Sequence, residues 1–284
     1  CKYVHGDVTD IHSLLDAFKG AEAVFHLAGV IAYRKSQRGL MEKVNVQGTA
    51  NVVSVCREHK VPRLVYLSSV VAIGAGLSAE QVLNENSEYN IADLDLGYFQ
   101  TKHAAEKIVK MACDKGEINA VILNPSTIYG AGDAKKGSRK MQLKVAQGRM
   151  KYFTRGGVNV VAVEDVIQGI LSAWKQGRNG ERYILAGENL TIQELLATIA
   201  WEAGVKPPSK ELPSGLLHTI GKVGDFMEKM GMKSPFSREN AHTTTMYHWF
   251  DSSKAQKELN FKPRPAREAI HNSVQWIREQ GWLK

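Results

Sequence analysis

The sequence predicts an α/β fold built on a doubly wound parallel sheet, followed by a smaller, mostly helical lobe. Three observations carry that prediction. Short, nearly continuous apolar runs recur, as in Ala23–Ala28 and Ala120–Leu123, which is the pattern of strands buried on both faces. Segments with apolar residues at helical spacing alternate with them. Strand and helix in that rhythm give βαβ units with right-handed crossovers.

In chain order, Lys2–His5 reads as a short strand and Gly6–Asp10 as the turn after it. Ile11, Leu14, Leu15 and Phe18 lie at helical spacing, and Gly20 stops that helix. After the Ala23–Ala28 strand and Gly29, a helix places Val44, Gly48, Val52 and Val55 on one face and runs to about His59. Pro62 closes the connection, and the Arg63–Leu67 strand ends at Ser68-Ser69. A loop rich in Gly, Asn and Asp leads to a helix around Tyr98, then to the Ala120–Leu123 strand and Asn124-Pro125. Ligands of such sheets sit beyond the carboxyl ends of the strands. Asp7, Leu27-Ala28-Gly29, Ser69 and Asn124-Pro125-Ser126-Thr127 should therefore face one crevice.

From Gly130 the pattern loosens. Met141–Gly148 reads as a short helix, and Val158–Val163 as a strand feeding Asp165 and a helix through Trp174. Arg182–Leu185 is another strand, and Thr191 with Glu194 makes a capping box for a helix ending at Gly204. Prolines 207, 208 and 213 break the chain before a helix over Leu216–Met230. Asp251-Ser252 caps a short helix to Leu259, and Ala266–Gln280 forms the last one. The expected division is a sheet domain over 1–132, joined by 158–188, and a helical lobe over 133–157 and 189–284.

Composition narrows the function classes. The chain has 284 residues, 43% hydrophobic and 23% charged, enough for one large core or two lobes. It has no low-complexity tract, no short repeat and no apolar stretch long enough to cross a bilayer, so no membrane partner is expected. The opening Cys1–His5 lacks the basic-then-apolar order of a signal peptide. The net charge is +8, but its cations are scattered among acids, which argues against a nucleic-acid partner. One cluster, Lys135-Lys136-Gly137-Ser138-Arg139-Lys140, reads first as a solvated loop and second as an anion contact. Cys1, Cys56 and Cys113 are odd in number and lack metal-ligand spacing, so reduced thiols in a cytoplasmic protein and no metal are expected.

The chemistry centres on Tyr98 and Lys102, four residues apart on one helix face. An ammonium near a phenol favours the phenolate, so the pair suits proton transfer at a carbonyl or alcohol oxygen. Nine tyrosines make such a spacing common by chance, and its weight comes from the other stretches. Those are Gly6-Asp7-Val8-Thr9-Asp10, His26-Leu27-Ala28-Gly29, Val44-Asn45-Val46-Gln47-Gly48-Thr49, Tyr66-Leu67-Ser68-Ser69, Asn124-Pro125-Ser126-Thr127-Ile128-Tyr129-Gly130, Val163-Glu164-Asp165-Val166 and Asp251-Ser252-Ser253-Lys254-Ala255. In this order the chain resembles the extended short-chain dehydrogenase/reductase family, and most of all its dihydroflavonol-reductase-like branch.

The resemblance implies a Rossmann-type domain binding NADP or NAD, with NADP ahead, and a small carbonyl or alcohol substrate. It implies that Asp7 and Val8 meet the adenine and that Leu27, Ala28 and Gly29 pass under the ribose and phosphates. It makes Ser69 a hydrogen-bond donor to the substrate oxygen and Tyr98 the general acid. Lys102 would hold the nicotinamide ribose and depress the tyrosine, and Asn45 would order the helix. Asn124, Pro125, Ser126 and Thr127 would wall the nicotinamide. Plainer readings have Asp7 closing a turn, His26 as a satisfied core histidine and Asp165 capping its helix.

No Gly-x-x-Gly-x-x-Gly or Gly-x-Gly-x-x-Gly occurs among the 25 glycines, so an N-terminal segment of roughly one βαβ unit is expected outside this sequence. Two other functions stay open: a nucleotide-sugar epimerase or dehydratase with tightly held NAD, and a non-catalytic dinucleotide sensor. A homodimer through the helices near Val44–Val55 and Ala104–Ala112 is also expected from the resemblance.

Overall fold

The computed structural model describes residues 2–132, 137–232, 234 and 236–283, without the side chains of residues 137–139. Cys1, Lys135 and Lys136 therefore lie outside the described residues, as do the side chains of Ser138 and Arg139. In chain order the elements are α1 (Ile11–Phe18), β1 (Val24–His26), α2 (Arg38–Met41), a π-helical turn over Glu42–Gln47, α3 (Gly48–Glu58), β2 (Leu64–Leu67), α4 (Gly97–Asp114), β3 (Ala120–Pro125), β4 (Thr127–Tyr129), α5 (Gly137–Ala146), β5 (Tyr152–Phe153), β6 (Gly157–Ala162) and α6 (Val163–Gln176). They continue with β7 (Arg182–Leu185), β8 (Glu188–Thr191), α7 (Ile192–Ala203), β9 (Lys210–Glu211), α8 (Ser214–Lys229), α9 (Arg238–Thr243), β10 (Tyr247–His248), α10 (Ser253–Leu259) and α11 (Ala266–Glu279).

β1, β2, β3 and β7 form a parallel sheet in that order. Its strands alternate between two cores, as the two-residue period requires. Leu64, Tyr66 and Ile122 point to one side, where they meet Leu14, Val52, Val55, Ala105 and Val109 of α1, α3 and α4. Val65, Val121 and Leu123 point to the other, against Val166 and Ala173 of α6 and Ala255 and Leu259 of α10. Helices on both faces make the sheet doubly wound, as predicted. Val52 and Val55 of α3 and Ala105 and Ala112 of α4 lie inside this core.

Three sequence expectations need correction. Lys2–His5 forms no strand, because no described strand stands beside it and a ladder needs a partner. β1 is not buried on both faces: it pairs only with β2 among the described residues, leaving Phe25 37% and Leu27 54% exposed. Within 158–188, β7 returns to the first sheet, whereas β6 enters a second one of order β10-β6-β4, with β8 antiparallel to β6. That sheet packs on α7 and α11 through Val158, Val160, Leu195, Ile199, Ile270 and Val274.

The two sheets are stitched at Gly187, between β7 and β8. The Asn159 side chain receives the Gly187 N–H (2.9 Å), donates to the Gly187 carbonyl (3.2 Å) and accepts the Ser126 hydroxyl (2.6 Å). A Cβ on Gly187 would overlap the Val160 carbonyl oxygen, so only glycine fits this crossing. Gly187→Ala is expected to destabilise the chain by about 2 kcal/mol through overpacking against backbone, read as a lower urea midpoint.

Candidate active site

α4 is the element on which the site is built. Tyr98 and Lys102 lie one turn apart on it and each is only 6% exposed. The carboxyl ends of β2 and β3 point at this helix. The Lys102 ammonium donates to the Leu67 carbonyl at 3.1 Å, and the Ser69 hydroxyl lies near enough to the Tyr98 phenol to pull its pKa down. Ser69 also opens a short 3-10 turn over Val70–Ala72, its oxygen accepting the Val71 N–H at 3.4 Å. Tyr98, Lys102 and Ser69 are thus brought together.

The loop after β1 closes on the same point. Leu27, Ala28 and Gly29 are exposed beyond its carboxyl end. A Cβ on Gly29 would stand 3.4 Å from both the Lys102 Nζ and the Asn45 Oδ1. Asn45, buried in the π-helical turn, clamps the next residue on both sides: its Oδ1 takes the Val30 N–H (2.8 Å) and its Nδ2 donates to the Val30 carbonyl (2.9 Å). The same Nδ2 donates to Thr101 Oγ1 (3.2 Å), whose hydroxyl donates to the Tyr98 carbonyl (2.9 Å). Asn45 therefore links the loop after β1 directly to α4.

His26 is a satisfied core histidine. Its Nε2 lies 3.0 Å from Thr49 Oγ1, and Thr49 spends its proton on the Asn45 carbonyl at 2.6 Å, so the imidazole Nε2 is the donor. Burial first, and the Lys102 charge second, press its pKa down to about 4.

Electrostatics reverse one expectation. Lys102 does not depress the phenol: burial pushes the Tyr98 pKa up to about 12, and the opposing pull comes from the neighbouring Ser69 hydroxyl. Tyr98 is a neutral O–H donor at neutral pH. Burial also lowers the Lys102 ammonium to about 8, with Glu106 pulling it back up.

Glu106, one further turn along α4, is the residue that sequence reasoning missed. Its carboxylate is 1% exposed and accepts from Ser68 Oγ (2.5 Å) and Asn124 Nδ2 (2.7 Å), while Arg182 pairs with it at 2.7 Å. Asn124 Nδ2 also reaches the Ser69 carbonyl at 2.9 Å. The Tyr98, Lys102, Glu106 spacing of four and four was the available signal.

Other predicted residues sit differently. Asp7 is exposed and accepts the Thr9 N–H at 2.8 Å, which lowers its carboxyl pKa and closes its own turn. Val8 packs towards Gly48 on α3, and its carbonyl accepts from Asn51 at 2.8 Å. The Asn124 Nδ2 and the Ser126 hydroxyl are taken by protein partners, Pro125 is buried in β3, and Thr127 is half-buried in β4. Asp165 does not cap α6: it holds Arg264 by the backbone N–H (2.8 Å) and the guanidinium (2.9 Å).

The helical lobe closes over Tyr98. Glu239 of α9 accepts the Tyr98 N–H at 3.4 Å, and burial raises its carboxyl to about 7. Ser237 donates to the Tyr33 carbonyl at 2.8 Å, and the Tyr33 ring meets Tyr98 edge-on at 6.2 Å. A cavity of about 260 Å³ opens between Tyr33, Leu94, Glu239 and His242.

Residues 1–195 match the family model for the 3-beta hydroxysteroid dehydrogenase/isomerase family. Sterol demethylase protein B of Methylococcus capsulatus is 30% identical over 98% of this chain and 85% of its own length. A Synechocystis protein provisionally named a dihydroflavonol 4-reductase is 28% identical over 99% of this chain and 83% of its own. The crystal structure of gox2253 superposes with a TM-score of 0.85 at 33% identity, covering 98% of this chain and 85% of that one. DesIV, a dTDP-glucose 4,6-dehydratase of Streptomyces venezuelae solved with NAD, shares the fold with a TM-score of 0.78 at 19% identity, over 100% of this chain and 81% of that one.

Two outcomes follow from the buried charges. Lys102 releases its proton near 8 when folded and near 10.5 when unfolded, so between those pH values the unfolded chain binds more protons and stability rises with pH. Relative to Lys102→Met, the parent should gain about 3 kcal/mol between pH 7 and pH 10.5 in paired urea melts. Glu106→Ala strands Ser68, Asn124 and Arg182 together and should cost about 3 kcal/mol in the same assay.

Proposed function

This chain belongs to the 3-beta hydroxysteroid dehydrogenase/isomerase family, within the extended short-chain dehydrogenases/reductases, and from that we propose that it reduces a ketone or aldehyde with NAD(P)H, or oxidises the corresponding alcohol. The observation that carries the reading is the buried, neutral Tyr98 phenol beside the Ser69 hydroxyl at the carboxyl edge of the sheet. A carbonyl oxygen taking the place between them would receive two hydrogen bonds, one from each hydroxyl. The Tyr98 proton then moves to that oxygen as negative charge develops, and Ser69 steadies the charge. The nicotinamide, when bound, supplies the hydride.

The residues present fit a dinucleotide. Gly29 leaves open backbone beside the Lys102 ammonium, where a side chain would intrude. Lys102 would hold a ribose hydroxyl there, and the exposed Leu27-Ala28-Gly29 turn would lie beneath the phosphates. Asp7 and Val8 would face the adenine, while Pro125 and Thr127 would wall the nicotinamide. Asn124 and Ser126 act at one remove, by fixing Ser69 and β6. NADP and NAD both suit this arrangement.

The nucleotide-sugar reading finds less support. Val158 is buried in β6 and Asn159 is tied to Gly187 and Asn189, so neither meets a diphosphate. Arg155 is engaged with Glu211 at 2.6 Å.

The test is carbonyl-dependent oxidation of NADPH or NADH across a panel of sterol, steroid and smaller ketones. Tyr98→Phe should lower kcat about a thousandfold with nucleotide binding retained. Turnover unchanged in that variant, or interconversion of a nucleotide sugar on co-purified NAD without net cofactor oxidation, would overturn the proposal.

A further inference from the structure

α8 presents its side chains the wrong way round for a helix that ends at water. Its inward face is small: Leu217, Gly221 and Gly224 are buried against the 234–238 segment. A Cβ on Gly221 would stand 2.9 Å from the Arg238 Cα, and one on Gly224 would overlap the Phe236 carbonyl oxygen. The large apolar side chains face outward instead. Leu216 is 49% exposed, Ile220 41%, Val223 54%, Phe226 63% and Met230 65%, a stripe at helical spacing. A helix on a soluble surface ordinarily shows the opposite distribution.

The fully exposed charges of this helix are both lysines. Asp225 is drawn inward to the Arg238 N–H at 3.1 Å, and Glu228 to Arg34 at 3.3 Å. Lys222 and Lys229 remain exposed, with no ion pair among the described residues. We propose that this face of α8 docks on an anionic phospholipid surface. Aliphatic and aromatic side chains flanked by lysines are what an interfacial helix offers to headgroups and the upper acyl region. A second copy of the chain fits less well, since a two-fold contact through this face would bring the lysines of both copies together.

The docking is peripheral. No helix among the described residues is long and apolar enough to cross a membrane. Such docking requires no span. Phe226, Lys222 and Lys229 also line a cleft of about 410 Å³ with Asp225, Glu228, Lys35 and Arg238, and Lys35 and Arg238 border the cavity at Tyr33 and Glu239 as well. A docked α8 would set that cleft against the lipid.

Vesicle co-sedimentation of the full chain tests this, with phosphatidylcholine alone and with phosphatidylcholine containing phosphatidylserine. The chain should bind the anionic vesicles and be released by salt. Val223→Asp with Phe226→Asp should weaken that binding about tenfold or more, with circular dichroism unchanged. Should that variant fail to fold, Lys222→Glu with Lys229→Glu carries the test by losing the preference for phosphatidylserine. Absence of binding by the parent chain, or retention of full binding in both variants, overturns the proposal. So does a parent dimer in light scattering that Val223→Asp with Phe226→Asp converts to monomer without vesicle binding.

Discussion

A carboxylate withdrawn from water must be answered by protein, and the answer to Glu106 organises the site. Its partners come from the end of β2 (Ser68), the end of β3 (Asn124) and the start of β7 (Arg182). One side chain on α4 thereby fixes three strands against the helix that carries Tyr98 and Lys102. Charge-assisted hydrogen bonds are the strong kind, and in a dry setting they hold geometry more tightly than apolar contact does. Ser69 is positioned through this arrangement, by its neighbour Ser68 and by Asn124 on its own carbonyl.

Burial has the larger hand in the chemistry. The tyrosine–lysine pairing suggests a phenol pulled towards the anion, yet enclosure under Tyr33 and Glu239 raises it instead. For a group that must give up a proton to an oxygen, a neutral phenol at working pH is the useful state. The ammonium pays the opposite penalty, and Glu106 limits it.

Much of this was legible in the sequence, for reasons that differ by residue. Tyr98 and Lys102 share a helix face by spacing, but the other stretches gave that spacing its weight; Ser69 and Asn124 were legible from their place at strand ends, and the Thr191–Glu194 box from local bonding alone. What could not be read depended on distant partners. Glu239 meets Tyr98 across 141 residues, and nothing near it in the chain points there. β6 and β7 are both short apolar runs, and no period states which sheet each will join. Lys2–His5 has strand composition but no neighbour to bond. Asp165 sits where a cap would, and is claimed by Arg264 from 99 residues away.

The wide turn over Glu42–Gln47 carries a consequence for insertions and deletions. Asn45 aims at Val30 because this turn holds one residue more than a regular coil would. In an α-helix each residue advances the side-chain direction by about 100°. Loss of a single residue here would swing the amide away from the loop after β1 while leaving the helix itself sound. The aim of that side chain is therefore a matter of counting, and the length of this segment is constrained as firmly as its chemistry.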